Sequence, residues 1–171
     1  MKIIFLDFDG VLNNESFFIK RHRNMQGLRM IDLNKINETD LKVKYLLCEI
    51  DLDNLDILKE IINDTHSKVV VISSWKKLKV FYKVSKHLVN LGIPIIGMTS
   101  DNSDNRGEGI KNYLKNHEVD NYIVIDDDIF PDYDEEIMNH LVKTSFYNCG
   151  LTEENKEEAI NKLNGKSLKL N

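Results

Sequence analysis

The chain has 171 residues and a mass of 19.9 kDa, which is the size of one domain built around one hydrophobic core. Hydrophobic residues make up 42% of the sequence and charged residues 30%, a balance that excludes a disordered chain. The net charge of −5 argues weakly against a polyanionic partner. Because no apolar stretch has the length of a membrane span and Cys48 and Cys149 lack a neighbouring thiol, we expect a cytoplasmic protein.

Short apolar runs of strand length alternate with segments of helical periodicity. Strands are predicted over residues 2–8, 68–72, 93–97 and 122–125, with a weaker candidate at 143–147. Helices are predicted over residues 53–63, 76–91 and 107–116, and a last helix follows Thr152, a favourable N-cap. This alternation predicts an α/β fold with a parallel sheet of about five strands and helices on both faces.

Residues 13–50 interrupt the alternation, because they are far longer than an ordinary connection and show no sustained period. We therefore expect one domain over residues 1–171 with an insertion at about residues 13–50, either an open flap or a small folded cap. The insertion contains a run of basic residues, namely Lys20, Arg21, Arg23 and Arg29. These residues are equally well interpreted as a solvated helix face or as contacts to substrate phosphates.

Polar residues follow three of the predicted strands. Asp7 and Asp9 end the first strand at positions i and i+2, and Gly10 allows the chain to turn away. Ser73 and Ser74 end the second strand. The strand at residues 122–125 ends in the acidic residues Asp126, Asp127 and Asp128. Because the carboxyl ends of parallel strands meet at one edge of the sheet, we expect these side chains to share one site.

Carboxylates gathered at one edge repel each other unless a cation offsets their charge. An all-oxygen set of ligands favours Mg²⁺, Mn²⁺ or Ca²⁺ over zinc, and Mg²⁺ with a phosphate co-ligand is the commonest such case. The residues therefore predict Mg²⁺ as cofactor and phosphoryl transfer as the chemistry.

The motifs DFDGVLN at residues 7–13, VVVISSW at 69–75 and YIVIDDD at 122–128 resemble the haloacid dehalogenase-like (HAD) phosphatase superfamily. More loosely, SSWK, GIPIIGMTS, R-x-E-x-I, IDDD and CGLT resemble the small HAD domains associated with RNA-repair multidomain proteins. The resemblance implies a Rossmann-like fold and a Mg²⁺-dependent phosphatase that works through a covalent aspartyl phosphate. It makes a phosphorylated small molecule, a nucleotide or a nucleic-acid end the candidate substrate.

The resemblance also implies roles for individual residues. Asp7 is expected to be the nucleophile and a metal ligand, and Asp9 the general acid and base, with its backbone carbonyl on the metal. Ser73 is expected to hydrogen-bond the transferring phosphoryl group. Asp127 matches the metal ligand of the acidic motif, with Asp126 beside it as a ligand or support.

The superfamily places a lysine that neutralises the phosphoryl oxygens near the start of the helix before the acidic strand. Here Arg106 occupies that place, and arginine can bind phosphate through two hydrogen bonds. Lys111 and Lys76 are the alternatives. We also expect Gly10, Ser74 and the four basic residues of the insertion to contact the substrate.

Two other functions fit parts of the sequence. A receiver-like phosphate-accepting module also has a parallel sheet and an acidic site, but its acidic pair and accepting aspartate occur in a different order. A weakly catalytic domain that binds nucleic acid or a protein partner through the basic residues is the second alternative.

Overall fold

The computed structural model describes residues 1–100 and 105–165, and these residues form an α/β fold. One five-stranded sheet has its strands in the order β3-β2-β1-β4-β5, and all neighbouring pairs are parallel. The strands are β1 (Lys2–Leu6), β2 (Lys68–Val71), β3 (Ile95–Met98), β4 (Asn121–Asp126) and β5 (Leu141–Lys143). This architecture confirms the predicted Rossmann-like class, and it places the reversal of strand order beside β1.

Helices connect the strands and cover both faces of the sheet. They are α1 (Glu15–His22), α2 (Leu41–Leu47), α3 (Leu52–Thr65), α4 (Phe81–Asn90), α5 (Arg106–Asn116), α6 (Glu135–His140) and α7 (Glu153–Leu163). Short 3-10 helices occupy Leu33–Lys35 and Ser74–Lys77. Within the described residues, none of these helices combines the length and the apolarity needed to cross a membrane.

The central strand β1 is buried on both faces, as its uninterrupted apolar sequence requires. Ile4 and Leu6 belong to the larger core, which includes residues of α2, α3, α4 and α7. Ile3 and Phe5 point to the opposite face and belong to a smaller core with residues of α5 and α6. The carboxyl end of β1 therefore holds its side chains on a rigid, fully buried element.

Two predicted elements differ from the structure. The helix predicted over residues 76–91 is interrupted, because the extended backbone of Leu78 ends the 3-10 helix and α4 begins only at Phe81. The strand predicted at residues 143–147 is wrong. β5 lies earlier, at Leu141–Lys143, where it pairs with Val124–Asp126, and the chain leaves the sheet once the Thr144 N–H has bonded to the Asp126 carbonyl at 3.0 Å.

Residues 13–50 contain α1, α2 and the 3-10 helix at Leu33–Lys35, none of which was predicted. Phe17, Val43 and Leu47 of this segment are buried, and Met30 forms an antiparallel bridge with Asp51. The segment thus contains helices whose apolar side chains pack into the core, and its role as a flap or a cap over the site stays a prediction. The boundary of the predicted domain at residue 171 stays a prediction, and its last six residues lie outside the described residues.

Two buried asparagines join the segment to distant parts of the chain. Asn14 caps α1 by accepting the Phe17 N–H at 2.8 Å, and its amide donates to Asn54 Oδ1 at 2.9 Å. The Asn54 amide donates to the carbonyls of Cys149 and Leu151, both at 2.8 Å. This network fixes the start of α1 against α3 and the loop before α7.

We expect Asn54→Ala to destabilise the protein by about 1–3 kcal/mol, because the Cys149 and Leu151 carbonyls and the Asn14 amide each lose a hydrogen bond. At about 2–4 °C per kcal/mol for a domain of this size, Tm should fall by about 2–12 °C. Thermal unfolding followed by circular dichroism measures the change. Asn63→Ala, at an exposed position of the same helix, is the control. An equal effect of the two substitutions would contradict the importance of the network.

Candidate active site

The loop after β1 brings Asp7 to the sheet edge and turns sharply at Gly10. The Asp7 N–H donates to the Ile125 carbonyl at 3.0 Å, which ties the loop to β4, and Asp7 is buried. Gly10 has φ +68°, and a Cβ at this position would lie 2.1 Å from Asp127 Oδ2. Only glycine fits this approach, which brings the first motif against the acidic motif.

Asp9 is exposed, and two N–H donors hold its carboxylate. Asn13 Nδ2 donates to Oδ1 at 3.0 Å and Trp75 Nε1 donates to Oδ2 at 2.9 Å. The Gly10 N–H in turn donates to Asn13 Oδ1 at 3.0 Å. Sequence reasoning missed both partners of Asp9. Asn13 lies within the first motif and Trp75 directly follows the two serines, so their positions in the motifs were the available signal.

Three carboxylates converge at the ends of β1 and β4. Asp7, Asp126 and Asp127 each offer an oxygen, and these oxygens lie within 4.8 Å of one another. Asp7 Oδ1 is buried and accepts no hydrogen bond from the described residues. Asp126 is more occupied, since Oδ1 accepts the Asp128 N–H at 3.0 Å and Oδ2 accepts the Tyr133 hydroxyl at 2.8 Å. This oxygen-rich set suits a hard divalent cation.

Arg106, the first residue of α5, is the basic residue that contacts these carboxylates directly. Its Nη1 lies 3.1 Å from Asp7 Oδ2 and 2.7 Å from Asp126 Oδ2, and its guanidinium carbon lies 4.3 Å from the centre of the Phe130 ring. Lys111 instead pairs with Asp134 at 2.7 Å, and Lys76 Nζ donates to Thr99 Oγ1 at 2.7 Å. Of the three predicted basic candidates, Arg106 is the one placed against Asp7.

The loop after β4 positions the start of α5. Asp132 Oδ2 accepts the Glu108 N–H at 2.9 Å. A Cβ on Gly107 would lie 2.4 Å from the Asp132 carbonyl oxygen, so this close approach needs glycine. Asp132 and Tyr133 thus belong to the support of the site, and local sequence patterns gave no signal for either contact.

Burial shifts the ionisation of the cluster. Burial raises the pKa of Asp7 to about 7, although the nearby charge of Arg106 opposes the shift. Burial together with the charges of Asp128 and Asp126 raises the pKa of Asp127 to about 6. Burial lowers the pKa of Arg106, but the carboxylates of Asp7 and Asp126 outweigh it and raise that pKa overall. A cation would favour the ionised form of both carboxyls.

Ser73 and Ser74 differ in their placement after β2. The Ile72 N–H donates to the Leu6 carbonyl at 3.0 Å, so the end of β2 lies beside the end of β1. Ser73 is buried, and its hydroxyl oxygen accepts the Trp75 N–H at 3.3 Å. Ser74 is exposed.

The four basic residues of the insertion do not form one cluster. Arg29 is bound to Asp53 at 2.8 Å and to Asp56 at 2.7 Å. Arg21 lies over the Tyr45 ring, 5.9 Å from its centre. Lys20 and Arg23 are exposed at the end of α1. Contact of these residues with substrate stays a prediction.

A cavity of about 700 Å³ lies away from the carboxylates, between the segment that follows α1 and helix α4. Ile36, Glu38, Lys83 and His87 are among its lining residues, whereas Asp7, Asp126 and Asp127 are not. Glu38 lies 3.3 Å from His87 Nε2 and 3.9 Å from Lys83 Nζ. The cavity is therefore separate from the acidic cluster.

A family model described as the HAD domain in Swiss Army Knife RNA repair proteins matches residues 3–156. The matched range includes Asp7, Asp9, Ser73, Arg106 and the acidic motif after β4. Comparisons with curated proteins and with solved structures gave no significant match.

The raised pKa of Asp7 predicts how stability depends on pH without a metal. A carboxyl whose pKa is higher in the folded than in the unfolded state loses its stabilising contribution as pH rises from about 4 through about 7. At pH 8 in EDTA, Asp7→Asn should therefore raise Tm by at least about 3 °C, which corresponds to about 1 kcal/mol. At pH 5 the difference should be smaller.

Thermal unfolding at both pH values measures this effect. Asp64→Asn, at an exposed position of α3, is the control and should change Tm little at either pH. A lower Tm of Asp7→Asn at pH 8 would contradict the prediction.

Proposed function

Because this chain belongs to the HAD domains of Swiss Army Knife RNA repair proteins, we propose that it hydrolyses phosphate monoesters through a covalent aspartyl phosphate on Asp7. Family membership confirms the resemblance drawn from the motifs and supports a phosphoesterase of the HAD type. The proposal of a covalent intermediate on Asp7 rests on the contacts of the two oxygens of its carboxylate. Arg106 holds one oxygen at 3.1 Å, and the other oxygen is buried without a partner among the described residues. That oxygen is available for a bond to phosphorus or to a metal.

The proposed reaction has two steps. The Asp7 carboxylate attacks phosphorus, the bond from phosphorus to the ester oxygen breaks, and the Asp9 carboxyl gives its proton to the departing oxygen. A water molecule then attacks the phosphoryl group, the Asp9 carboxylate accepts the proton of that water, and phosphate leaves Asp7. The bonds from Asn13 and Trp75 orient Asp9 for both proton transfers.

The charges around Asp7 suit a transferring phosphoryl group. Arg106 would neutralise the phosphoryl oxygens, a task that the superfamily gives to a lysine, and its guanidinium is fixed by Asp126 and Phe130. The hydroxyl oxygen of Ser73 accepts the Trp75 N–H, so its proton remains available for a phosphoryl oxygen. Both groups would stabilise the charge that develops during transfer.

Asp7 and Asp127 would hold Mg²⁺, with Asp126 as a further ligand or as support. The all-oxygen donor set and the unpartnered Asp7 oxygen fit such an ion. When bound, the ion supplies positive charge to the phosphoryl oxygens.

We favour a phosphorylated nucleic-acid end over a free nucleotide or another phosphorylated small molecule as substrate. The family is described by its place in RNA repair proteins, and the folded insertion carries the basic helix α1 next to the Asp7 loop. The basic end of α1 would attract a polyanion despite the net charge of −5.

We expect Asp7→Asn to reduce Mg²⁺-dependent hydrolysis of p-nitrophenyl phosphate by at least about 10³-fold, because the amide is a very poor nucleophile. Removal of the divalent ion with EDTA should abolish the activity of the parent protein. Release of p-nitrophenol measures both effects. Asp128→Asn, a neighbour of the acidic cluster, is the matched control and should retain activity within a few-fold. Full activity of Asp7→Asn would exclude the proposed nucleophile.

The basic residue that assists transfer can be identified by two substitutions in α5. Arg106→Ala should lower kcat/KM by about 10²-fold or more, because it removes the charge that contacts Asp7. Lys111→Ala should change kcat/KM little, because Lys111 is exposed and paired with Asp134. Steady-state kinetics with the same substrate measure both. The reverse order of the two effects would assign the role to Lys111.

A further inference from the structure

The insertion contains a cavity of about 490 Å³ that the proposed reaction does not use. Phe18, Arg21 and His22 of α1 line one side, and Tyr45 of α2 and Glu49 line the other. Two aromatic rings, a guanidinium, an imidazole and a carboxylate thus surround one open space. None of these side chains contacts the carboxylates of the active site in the described residues.

The lining is suited to a flat ring with polar edges. Tyr45 is 58% exposed although it carries a large aromatic ring, and the nearby Glu49 carboxylate raises the pKa of its hydroxyl. The Arg21 guanidinium lies over the same ring, 5.9 Å from its centre. Exposed aromatic rings and arginine planes are the surfaces on which proteins stack unpaired bases. Glu49 and Arg21 add an acceptor and donors for the polar edge of a base.

The cavity is connected to the active site through neighbouring elements. The Asp126 carbonyl accepts the Thr144 N–H at 3.0 Å, and two residues later the Phe146 carbonyl accepts the Glu15 N–H at 2.9 Å. The Phe146 ring lies 6.1 Å from the Phe18 ring, which lines the cavity. The loop after β5 therefore contacts both the acidic motif and α1, whose Phe18 lines the cavity.

The position along α1 sets which nucleotide could reach the cavity. Glu15 lies next to the Asp7 loop, and Arg21 is six residues further on, about 9 Å along the helix axis at 1.5 Å per residue. Because this length separates Arg21 from the end of α1 next to the Asp7 loop, a base bound at Arg21 would belong to a nucleotide beyond the phosphorylated end. Lys20 and Arg23, exposed at the same end of α1, are placed to attract the phosphates of that strand.

We propose that this cavity is a nucleobase-binding pocket, which takes a base of a single-stranded nucleic acid whose phosphorylated end occupies the site at Asp7. The identity of the bound end rests on the proposed function. The pocket itself rests on its own lining residues. It would select oligonucleotides over mononucleotides and over small aryl phosphates.

The test measures binding with turnover blocked. The full chain carrying Asp7→Asn, with Mg²⁺ present, is titrated into fluorescent RNA pentanucleotides that bear a 3′- or a 5′-phosphate, and anisotropy reports Kd. Adding Tyr45→Ala or Arg21→Ala should weaken binding of at least one pentanucleotide by about tenfold, the loss expected for one stacked base. Tyr45→Phe, which keeps the ring, should restore most of that affinity. Tyr82→Ala removes a comparably exposed tyrosine of α4 and should have no effect.

Competition with the corresponding 3′- and 5′-mononucleotides supplies the length dependence. The mononucleotides should bind the Asp7→Asn protein more weakly than the pentanucleotide does. Adding Tyr45→Ala should remove most of that difference in Kd. Absence of pentanucleotide binding, equal Kd values for the parent and both pocket variants, or equal losses for Tyr45→Ala and Tyr82→Ala would overturn the pocket. If the wild-type chain with Mg²⁺ hydrolyses neither p-nitrophenyl phosphate nor either phosphorylated pentanucleotide, but pentanucleotide binding still depends on Tyr45, the proposed function fails and the pocket stands.

Discussion

The buried ion pair of Arg106 with Asp7 and Asp126 is the interaction on which the rest of the site depends. Three carboxylates meet at the sheet edge, and burial makes each negative charge costly unless it is paired. Arg106 supplies one positive charge against three carboxylates, so it lowers the repulsion without removing it. The remaining imbalance would favour binding of a divalent cation at this edge. Because the protein keeps these like charges close together, its free energy of unfolding is lower than the fold would otherwise allow.

The same ion pair explains why the loop after β4 is built as it is. A guanidinium held between two carboxylates must be fixed, or its charge will not stay beside Asp7, the proposed nucleophile. Phe130 covers one face of Arg106, Tyr133 shares the Asp126 oxygen that Arg106 binds, and Asp132 caps the helix on which Arg106 lies. One short loop thus sets the position of both the acidic motif and the basic residue that faces it.

The parts of the fold that follow local periodicity could be predicted from the sequence, because buried strands and amphipathic helices leave regular apolar patterns. The central strands and α3, α5 and α7 belong to this group. The break before α4 and the position of the short β5 could not be predicted in this way. The extended backbone of Leu78 and the pairing of Leu141 with Val124 depend on tertiary contacts, which leave no local pattern. The motifs identified Asp7 and Arg106 as candidates, and they also contain Asn13 and Trp75. The bond from Trp75 to Asp9 could not be predicted, because it joins residues 66 positions apart and depends on the tertiary structure.

The folded insertion changes what the active site can distinguish. If the insertion had no fixed position relative to Asp7, its side chains could not help to distinguish one phosphorylated substrate from another. Here the start of α1 is tied by the Asn14–Asn54 network to the loop that precedes α7. The first residue of that loop, Thr144, donates its N–H to the carbonyl of Asp126 in the acidic motif. Groups on α1 therefore keep a set distance from Asp7. If a substrate phosphate binds at Asp7 as proposed, this set distance is the condition for binding energy from a remote part of that substrate to contribute to selection.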